Sequence, residues 1–506
     1  VAVRGSGYAS GAQLQSAMNI LFVSSEVEPF AKTGGLADVC GALPRRLARL
    51  GARAAIITPF YRETRERVGT PPAAADITVQ AGTHTYDMQV LSGEEHDGVS
   101  LYFVRCDELF DRDGIYEDGG RAFADNYLRF ICFSRAVPAF CRARGMQPDI
   151  LHLHDWQAAL VAAIVRHEAG RDPLLHRSAS VMTIHNMAYQ GLFPPEVFDL
   201  TGLPRAGFWH PGQLEFWGQV NFLKAGIVNA DMVTTVSPTY AREITTPEFG
   251  CGLDTVLAAR ASNLAGILNG ADYDRWDPAH DTLITARYNA GDLSGKQACK
   301  RALIERFDLE PKLVDRPLIG SISRLVDQKG FDLVTGIFDE LMNTNAGFVL
   351  LGTGEQRYHD FFKNMAARYP ERVGVLLGYD NGLAHQIEAG CDLFLMPSRY
   401  EPCGLTQIYS LKYGTVPLVR ETGGLADTIS DCDRDPASGN GFVFSDYDPG
   451  ALADALQRAL ACFDQGGRWQ ALMQRCMACD FSWDVSARAY LELYRKARNK
   501  KMGLNG

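Results

Sequence analysis

Short apolar runs alternate with helix-patterned stretches along nearly the whole chain, in two separate series. The first opens with Ile20-Leu-Phe-Val23, a glycine turn, a helix-like stretch over Leu43–Leu50 and Ala54-Ala-Ile-Ile57. It continues with strand candidates at Asp149–Leu153, Ser180–Ile184 and Met232–Val236, and a helix predicted over Trp156–His167. The second series runs through Leu318–Ser321, Phe348–Leu351, Val373–Leu377, Leu393–Met396, Val416–Val419 and Phe442–Phe444. Strands joined through helices pair as parallel neighbours, because the crossover returns the chain to the edge from which it left. The predicted class is therefore α/β, with two Rossmann-like, doubly wound parallel sheets. The turn-forming stretch Asn269–Pro278 breaks both periodicities and divides the chain into a domain over 18–268 and another over 269–480. A last segment, 481–503, contains the amphipathic stretch Val485–Asn499 and is expected to pack back on the first domain.

A chain of 506 residues is long enough for two large or three ordinary domains and a sizeable core. Its formal charge, 50 − 60 = −10, argues against a general nucleic-acid binder, which needs a basic face for phosphates, but permits a small basic pocket. The longest apolar run, Ala158–Val165, falls far short of the roughly 20 residues of a membrane-spanning helix, so no membrane partner is expected. The 12 Cys lie in apolar surroundings without framework spacing, as buried thiols do in a reducing compartment. Cys476 and Cys479 have C-x-x-C spacing, but a tetrahedral zinc site needs four ligands and no second pair accompanies them. Val1–Ala17 is small, polar and free of acidic residues. It is read as an unstructured tag or remnant ahead of a natural start at Met18, or else as the tail of a cleaved targeting segment.

One internal echo is more specific. Thr33-Gly-Gly-Leu-Ala-Asp38 recurs as Thr422-Gly-Gly-Leu-Ala-Asp427, each time between a strand candidate and a helix candidate. Amides of a glycine pair at such a turn can face a cleft beside a helix N-terminus and favour an anion; the other reading is a helix-starting turn that merely repeats a fold solution. Lys32, ahead of the first copy, would meet the same phosphate as Gly34 and Gly35. Arg324 and Lys329, five residues apart after the first strand of the second series, suit a diphosphate at a switch point of the sheet, or are solvated surface cations. Glu401, in Pro397-Ser-Arg-Tyr-Glu-Pro-Cys-Gly-Leu-Thr406, can accept sugar hydroxyls or balance positive charge at an anomeric carbon, with the Gly404–Thr406 amides opening a helix toward phosphate. An isolated Glu of this kind is more often a solvated loop residue or a cap.

His185 ends a strand candidate, where it serves either polar recognition and proton transfer or a structural hydrogen bond. Asp155 and Trp156 offer an acid and an aromatic of the kind that bind a sugar ring. His152 and His154 are read as facing opposite sides of their strand, a poor metal pair. Asp111-Arg-Asp113 has a D-x-D pattern but reads as an ordinary turn without a second oxygen cluster. No metal is expected.

Taken together, these residues resemble those of bacterial-type glycogen synthases and the similar plant starch synthases, from about Met18 to Arg498. The strings that carry the resemblance are Lys32-Thr-Gly-Gly-Leu36, His185-Asn-Met-Ala-Tyr-Gln-Gly191, Glu401-Pro-Cys-Gly-Leu-Thr406 and Thr422-Gly-Gly-Leu425. The resemblance implies the GT-B fold: an acceptor-side domain first, a nucleotide-sugar domain second, the donor in the cleft between them, and a C-terminal helix returning to the first. It implies retaining transfer of glucose from ADP-glucose to the non-reducing end of an α-1,4-glucan, glycogen or starch, with no cofactor. On this footing Lys32, Gly34 and Gly35 would approach the donor phosphate and glucose. Asp155 and His185 would line the glucose site, with Asp38 and Trp156 among the binding residues and Asn269 near the cleft. Arg324 and Lys329 would neutralise the departing ADP, Glu401 would hold the glucosyl group beside Cys403, and Tyr379 would stack on adenine. Gly404, Leu405 and Thr406 would contact phosphate.

Some related retaining transferases have E-x7-E, but here the second position is Tyr409. A front-face mechanism is therefore expected, in which a donor phosphate oxygen takes the acceptor's proton. The strings Leu405–Lys412 and Arg420–Asp427 lean toward the bacterial branch and a cytoplasmic protein, or a plastid one if the N-terminal segment is a targeting remnant. Two readings compete. A related transferase would use another donor such as UDP-glucose, and a non-catalytic glucan-binding protein on this fold would have lost Lys32, Arg324, Lys329 or Glu401. All four are present.

Overall fold

The computed structural model describes residues 17–504; positions 1–16, in the tag-like segment, lie outside the described residues. The first series forms a nine-stranded sheet in the order Leu264–Gly266, Met232–Thr235, Ala179–Ile184, Ile150–His154, Asn19–Val23, Arg53–Pro59, Val99–Arg105, His84–Ser92, Ala73–Ala81. The first seven are parallel, and the last two pair antiparallel at the edge. Helices cover both faces, so the central strands are buried throughout rather than on alternate residues. The run Ala158–Val165 lies in the helix Asp155–Glu168, apolar on every side because helices Asn126–Arg144 and Phe222–Asn229 pack against it as well as the sheet.

The second series forms a six-stranded, all-parallel sheet in the order Val373–Leu377, Gly347–Gly352, Leu318–Ile322, Leu393–Met396, Val416–Arg420, Phe442–Phe444. The α/β class with two doubly wound sheets is as expected from the sequence. Strand order reverses between Leu318–Ile322 and Leu393–Met396, and in the first sheet between Asn19–Val23 and Ile150–His154. In open α/β sheets, ligands bind outside the carboxyl ends of strands at such reversals. The segments leaving those four strand ends carry Lys32, Asp155, Arg324 with Lys329, and Glu401.

Two chain crossings join the domains, side by side. Ala271 N–H donates to Phe481 O at 2.7 Å, Ala271 bridges to Ser482, and a Cβ on Gly270 would collide with the Trp483 backbone. Beyond the outgoing crossing, Trp276 is stacked between His385 (3.7 Å) and Tyr409 (4.2 Å) of the second domain. The returning helix, Trp483–Lys501, packs across the helix Gly35–Arg49 and the first sheet, burying Trp483, Tyr490 and Tyr494 beside Phe22 and Val181. Among the described residues no helix is long and apolar enough to cross a membrane. Every Cys is free, and Cys251 alone is exposed.

Candidate active site

The two copies of the glycine turn have different environments. In the first, a Cβ on Gly34 or Gly35 would meet nothing within 4 Å, so the turn lies open. Its shape is held from below by Glu26, at the end of the first strand, whose carboxylate accepts from Thr33 N–H (2.6 Å), Gly34 N–H (3.1 Å), Thr33 Oγ1 (2.8 Å) and the Tyr116 hydroxyl (2.7 Å). Lys32 Nζ extends over the turn to Asp38 at 2.6 Å. Burial pushes the Asp38 carboxyl above its ordinary range, and Lys32 pulls it back. The second copy is closed: a Cβ on Gly423 would strike Glu401 O, and one on Gly424 would strike Cys403 O. Gly424 N–H donates to Glu401 O at 3.0 Å. Gly423 N–H donates at 2.9 Å to Glu243, which comes from the first domain. The expectation of an anion site at both copies is thus corrected for the second, whose glycines let it pack directly on the Glu401–Cys403 backbone.

That packing fixes Glu401, which is buried. Its Oε2 accepts from Lys329 Nζ at 2.5 Å and from Ser398 Oγ at 3.1 Å. An ammonium has three donors, so Lys329 retains capacity for a second anion while it holds the carboxylate. Arg324 is exposed nearby, its guanidinium 3.4 Å from Gln328 Oε1. Gly404 takes the left-handed conformation (φ +71°) that turns the chain into the helix Thr406–Lys412, with Leu405 at its N-terminus. Cys403 is buried in the first domain's core cluster and lies beside the Asn269 backbone. Tyr379, just past the strand Val373–Leu377, leaves its ring 86% exposed.

On the other wall, Asp155 sits at φ +54°, starting its helix immediately after the strand. Its Oδ1 accepts His185 N–H at 2.7 Å, and burial pushes the carboxyl up to about 7. His185 Nε2 meets His154 Nδ1 at 3.0 Å, and burial lowers the His185 ring to about 3, so it is neutral. Beneath them Tyr494 OH, His152, Thr183 and Thr234 form a buried hydrogen-bonded chain at 2.8, 2.6 and 2.6 Å, which ties the returning helix to the floor of the site. His152 and His154 therefore share a face, their ring centroids 4.1 Å apart. The expectation of opposite faces is wrong because strand residues two apart point the same way. Asn269 Oδ1 and His154 Nε2 are buried and have no hydrogen-bond partner among the described residues.

Residues 19–259 match the family described as "Starch synthase catalytic domain", and residues 305–469 match "Glycosyl transferases group 1". A relative named "Glycogen synthase" from Anaeromyxobacter dehalogenans (strain 2CP-C) is 49% identical over 480 residues, covering 94% of this chain and 99% of its own. Another of that name, from Koribacter versatilis (strain Ellin345), is 47% identical over 95% of this chain and 98% of its own. The chain belongs to the glycogen synthase family. Its structure is similar to that of the catalytic domain of Starch Synthase IV from Arabidopsis thaliana bound to ADP and acarbose, with a TM-score of 0.87 and 34% identity over 96% of this chain and all of that one. A sucrose-phosphate synthase from Thermosynechococcus elongatus shares the fold, at TM-score 0.57 and 17% identity over 95% of this chain and 98% of that one. The two-domain arrangement is GT-B.

In this member of the glycogen synthase family, one expected binding residue is misplaced. Trp156 is only 9% exposed and is wedged among Phe130, Phe193, Phe222 and Gly191, so its ring packs the core rather than offering a face to a sugar. Asp111 and Asp113 are ion-paired with Arg62, and Asp111 also with Arg65. Glu26 and Glu243, which brace the two glycine turns, were not singled out from sequence. Glu26 had a local signal, an acid between a strand candidate and a glycine turn. Glu243 had none, since its partner lies 180 positions away.

Proposed function

We propose that the protein is a retaining glucosyltransferase that moves glucose from ADP-glucose to the non-reducing end of an α-1,4-glucan. The observation that carries this reading is the Lys329–Glu401 pair at the second sheet's reversal, held by the closed glycine turn. Glu401 Oε1 is left to accept sugar hydroxyls, while Lys329 and the Arg324 fork stabilise the diphosphate as its bond to the anomeric carbon breaks. The acceptor hydroxyl adds to that carbon on the same face, and its proton passes to the departing phosphate oxygen. Lys32 supplies a third cation from the opposite domain, and the open Gly34–Gly35 turn admits donor atoms close to backbone. Neutral His185 serves as a hydrogen-bond partner rather than an acid. Asp155 orients the His185 backbone, and the orphan Asn269 Oδ1 offers an acceptor to the ligand. Tyr379 stacks on adenine, and the Gly404–Thr406 segment contacts phosphate.

With three cations to meet the diphosphate, no metal is required. The relatives named glycogen synthase support glycogen as the product, and the cytoplasm is proposed as its place. The test is transfer of labelled glucose to glycogen from ADP-glucose and separately from UDP-glucose, with EDTA present, for the protein and for Glu401→Ala and Lys329→Ala. Chelator-resistant transfer from ADP-glucose, reduced about a hundredfold or more in each variant, is expected. A preference for UDP-glucose would replace the donor, and glycogen binding without transfer from either donor would overturn the reading.

A further inference from the structure

Trp217 leaves its indole 84% exposed, and none of the contacts of Glu401 involves it. Its backbone position is also unfavourable. The hairpin of Glu215–Phe216 and Gln219–Asn221 closes through Trp217 and Gly218 at φ +52° and +78°, a type I′ turn. Such turns favour Asn or Asp before Gly, and a bulky residue held at positive φ costs on the order of 1–3 kcal/mol. Neither burial nor turn geometry accounts for a tryptophan here.

Its location gives the ring a use. The hairpin's second strand pairs with Leu192–Phe193, which follows directly on the His185–Gly191 loop. Asn221 Nδ2 donates to Gln190 Oε1 at 2.7 Å, Gln190 Nε2 donates to Cys251 O at 3.0 Å, and the neighbouring Gly252 adjoins Phe216 and Trp217. The turn is thus fixed to the loop that leaves the His185 strand. That loop exposes a second ring, Tyr189, at 55%. Tyr189 and Cys251 lie near enough to Tyr400, next to Glu401, to add to the effect of burial in raising its phenol.

We infer that Trp217, with Tyr189, is a platform for the acceptor glucan outside the catalytic cleft, stacking pyranose faces of the chain several units from its reacting end. The inference rests on the proposed function. A glucan is neutral and presents flat C–H-rich faces with hydroxyls at the edges, which suits rings that are flat, uncharged and wet at their rims. A protein partner fits less well: one indole offers at most about 250 Å², against the roughly 1,000 Å² of a specific protein interface.

Trp217→Asn removes the ring while giving the turn its favoured Asn-Gly pair, so its melting temperature should be at least that of the unaltered protein, which separates loss of stacking from loss of fold. The readout is the ratio of KM for glycogen to KM for maltotriose, whose three units fall short of the several that the proposal sets between the reacting end and Trp217. In Trp217→Asn this ratio should rise about three- to tenfold, and Trp217→Tyr should retain most of the original value. A ratio unchanged in Trp217→Asn would overturn the platform. Retardation in a glycogen-containing native gel reads binding without catalysis: retardation weakened by Trp217→Asn supports the platform, and equal retardation overturns it. Failure of the unaltered protein to elongate glycogen would instead remove the proposed function, leaving the gel to decide the platform.

Discussion

Asp155 combines a left-handed backbone, burial and a hydrogen bond to the His185 amide. Burial first, and then the charge of Glu26, raise its carboxyl to about 7, although the His185 and Asn186 amides oppose the shift. In the unfolded chain the group titrates near 3.9. Between about pH 4 and 7 the unfolded chain has released this proton while the folded protein still holds it, so the group's contribution to stability falls as pH rises through that window and is level above it. Asp155→Asn cannot titrate. Its melting temperature relative to the unaltered protein should therefore climb from pH 4 to 7 and then flatten; parallel melting curves across that range would contradict the assignment. At this scale the sequence pointed to candidate residues but not to their pairings. Lys329 and Glu401 were each legible from a strand-end motif, yet their ion pair spans 72 positions. Trp156 misled because an aromatic beside an acid reads alike in a sugar site and in a core.

Among the elements, the repeated hexapeptide separates what sequence specifies from what packing decides. Both copies begin a helix after a strand, as the pattern predicted, but one faces open space and the other rests on the backbone of Glu401 and Cys403. Alanine should discriminate between them. Gly424→Ala places a methyl group on Cys403 O and should cost several kcal/mol, more than the ~1–3 of ordinary overpacking because backbone has to move. Gly35→Ala has space for its methyl and should melt within a few degrees of the unaltered protein, losing donor affinity only. Thermal melts of both variants, with KM for the donor, check this; equal destabilisation of the two would contradict the asymmetry. Most of the parallel strands were legible because both faces are buried and the runs are continuous, although Val99–Arg105 and the short Leu264–Gly266 were not singled out. Ala73–Ala81 and His84–Ser92 were not, because an edge hairpin with one wet face buries only alternate residues, such as Ile77 and Val79. The Trp217 hairpin was hidden for a related reason: a tryptophan occupies the position where Asn-Gly would have announced the turn.

In the molecule as a whole, two of the places where the domains touch bear on how they could move. One is the paired crossing at Ala271 and Ser482. The other is a polar contact in which Asp427 accepts from Thr239 N–H and Oγ1 at 2.7 Å each, and Glu243 accepts from Thr422 Oγ1 at 3.0 Å and Gly423 N–H at 2.9 Å. The cations proposed to meet one donor are divided between the sheets, Lys32 on the first, Arg324 and Lys329 on the second. A ligand that engages all three draws the domains together, and adjacent crossings allow rotation about one line without unthreading either core. Saturating ADP should therefore reduce the radius of gyration measured by small-angle X-ray scattering. No compaction at saturation would count against closure. Gly270→Ala, whose methyl would press on the Trp483 backbone, forces the two crossings apart and should both lower the melting temperature and blunt the compaction. A variant that melts earlier yet compacts fully would confine the hinge to stability and leave closure to the polar contact, where Asp427→Asn is the next substitution to measure.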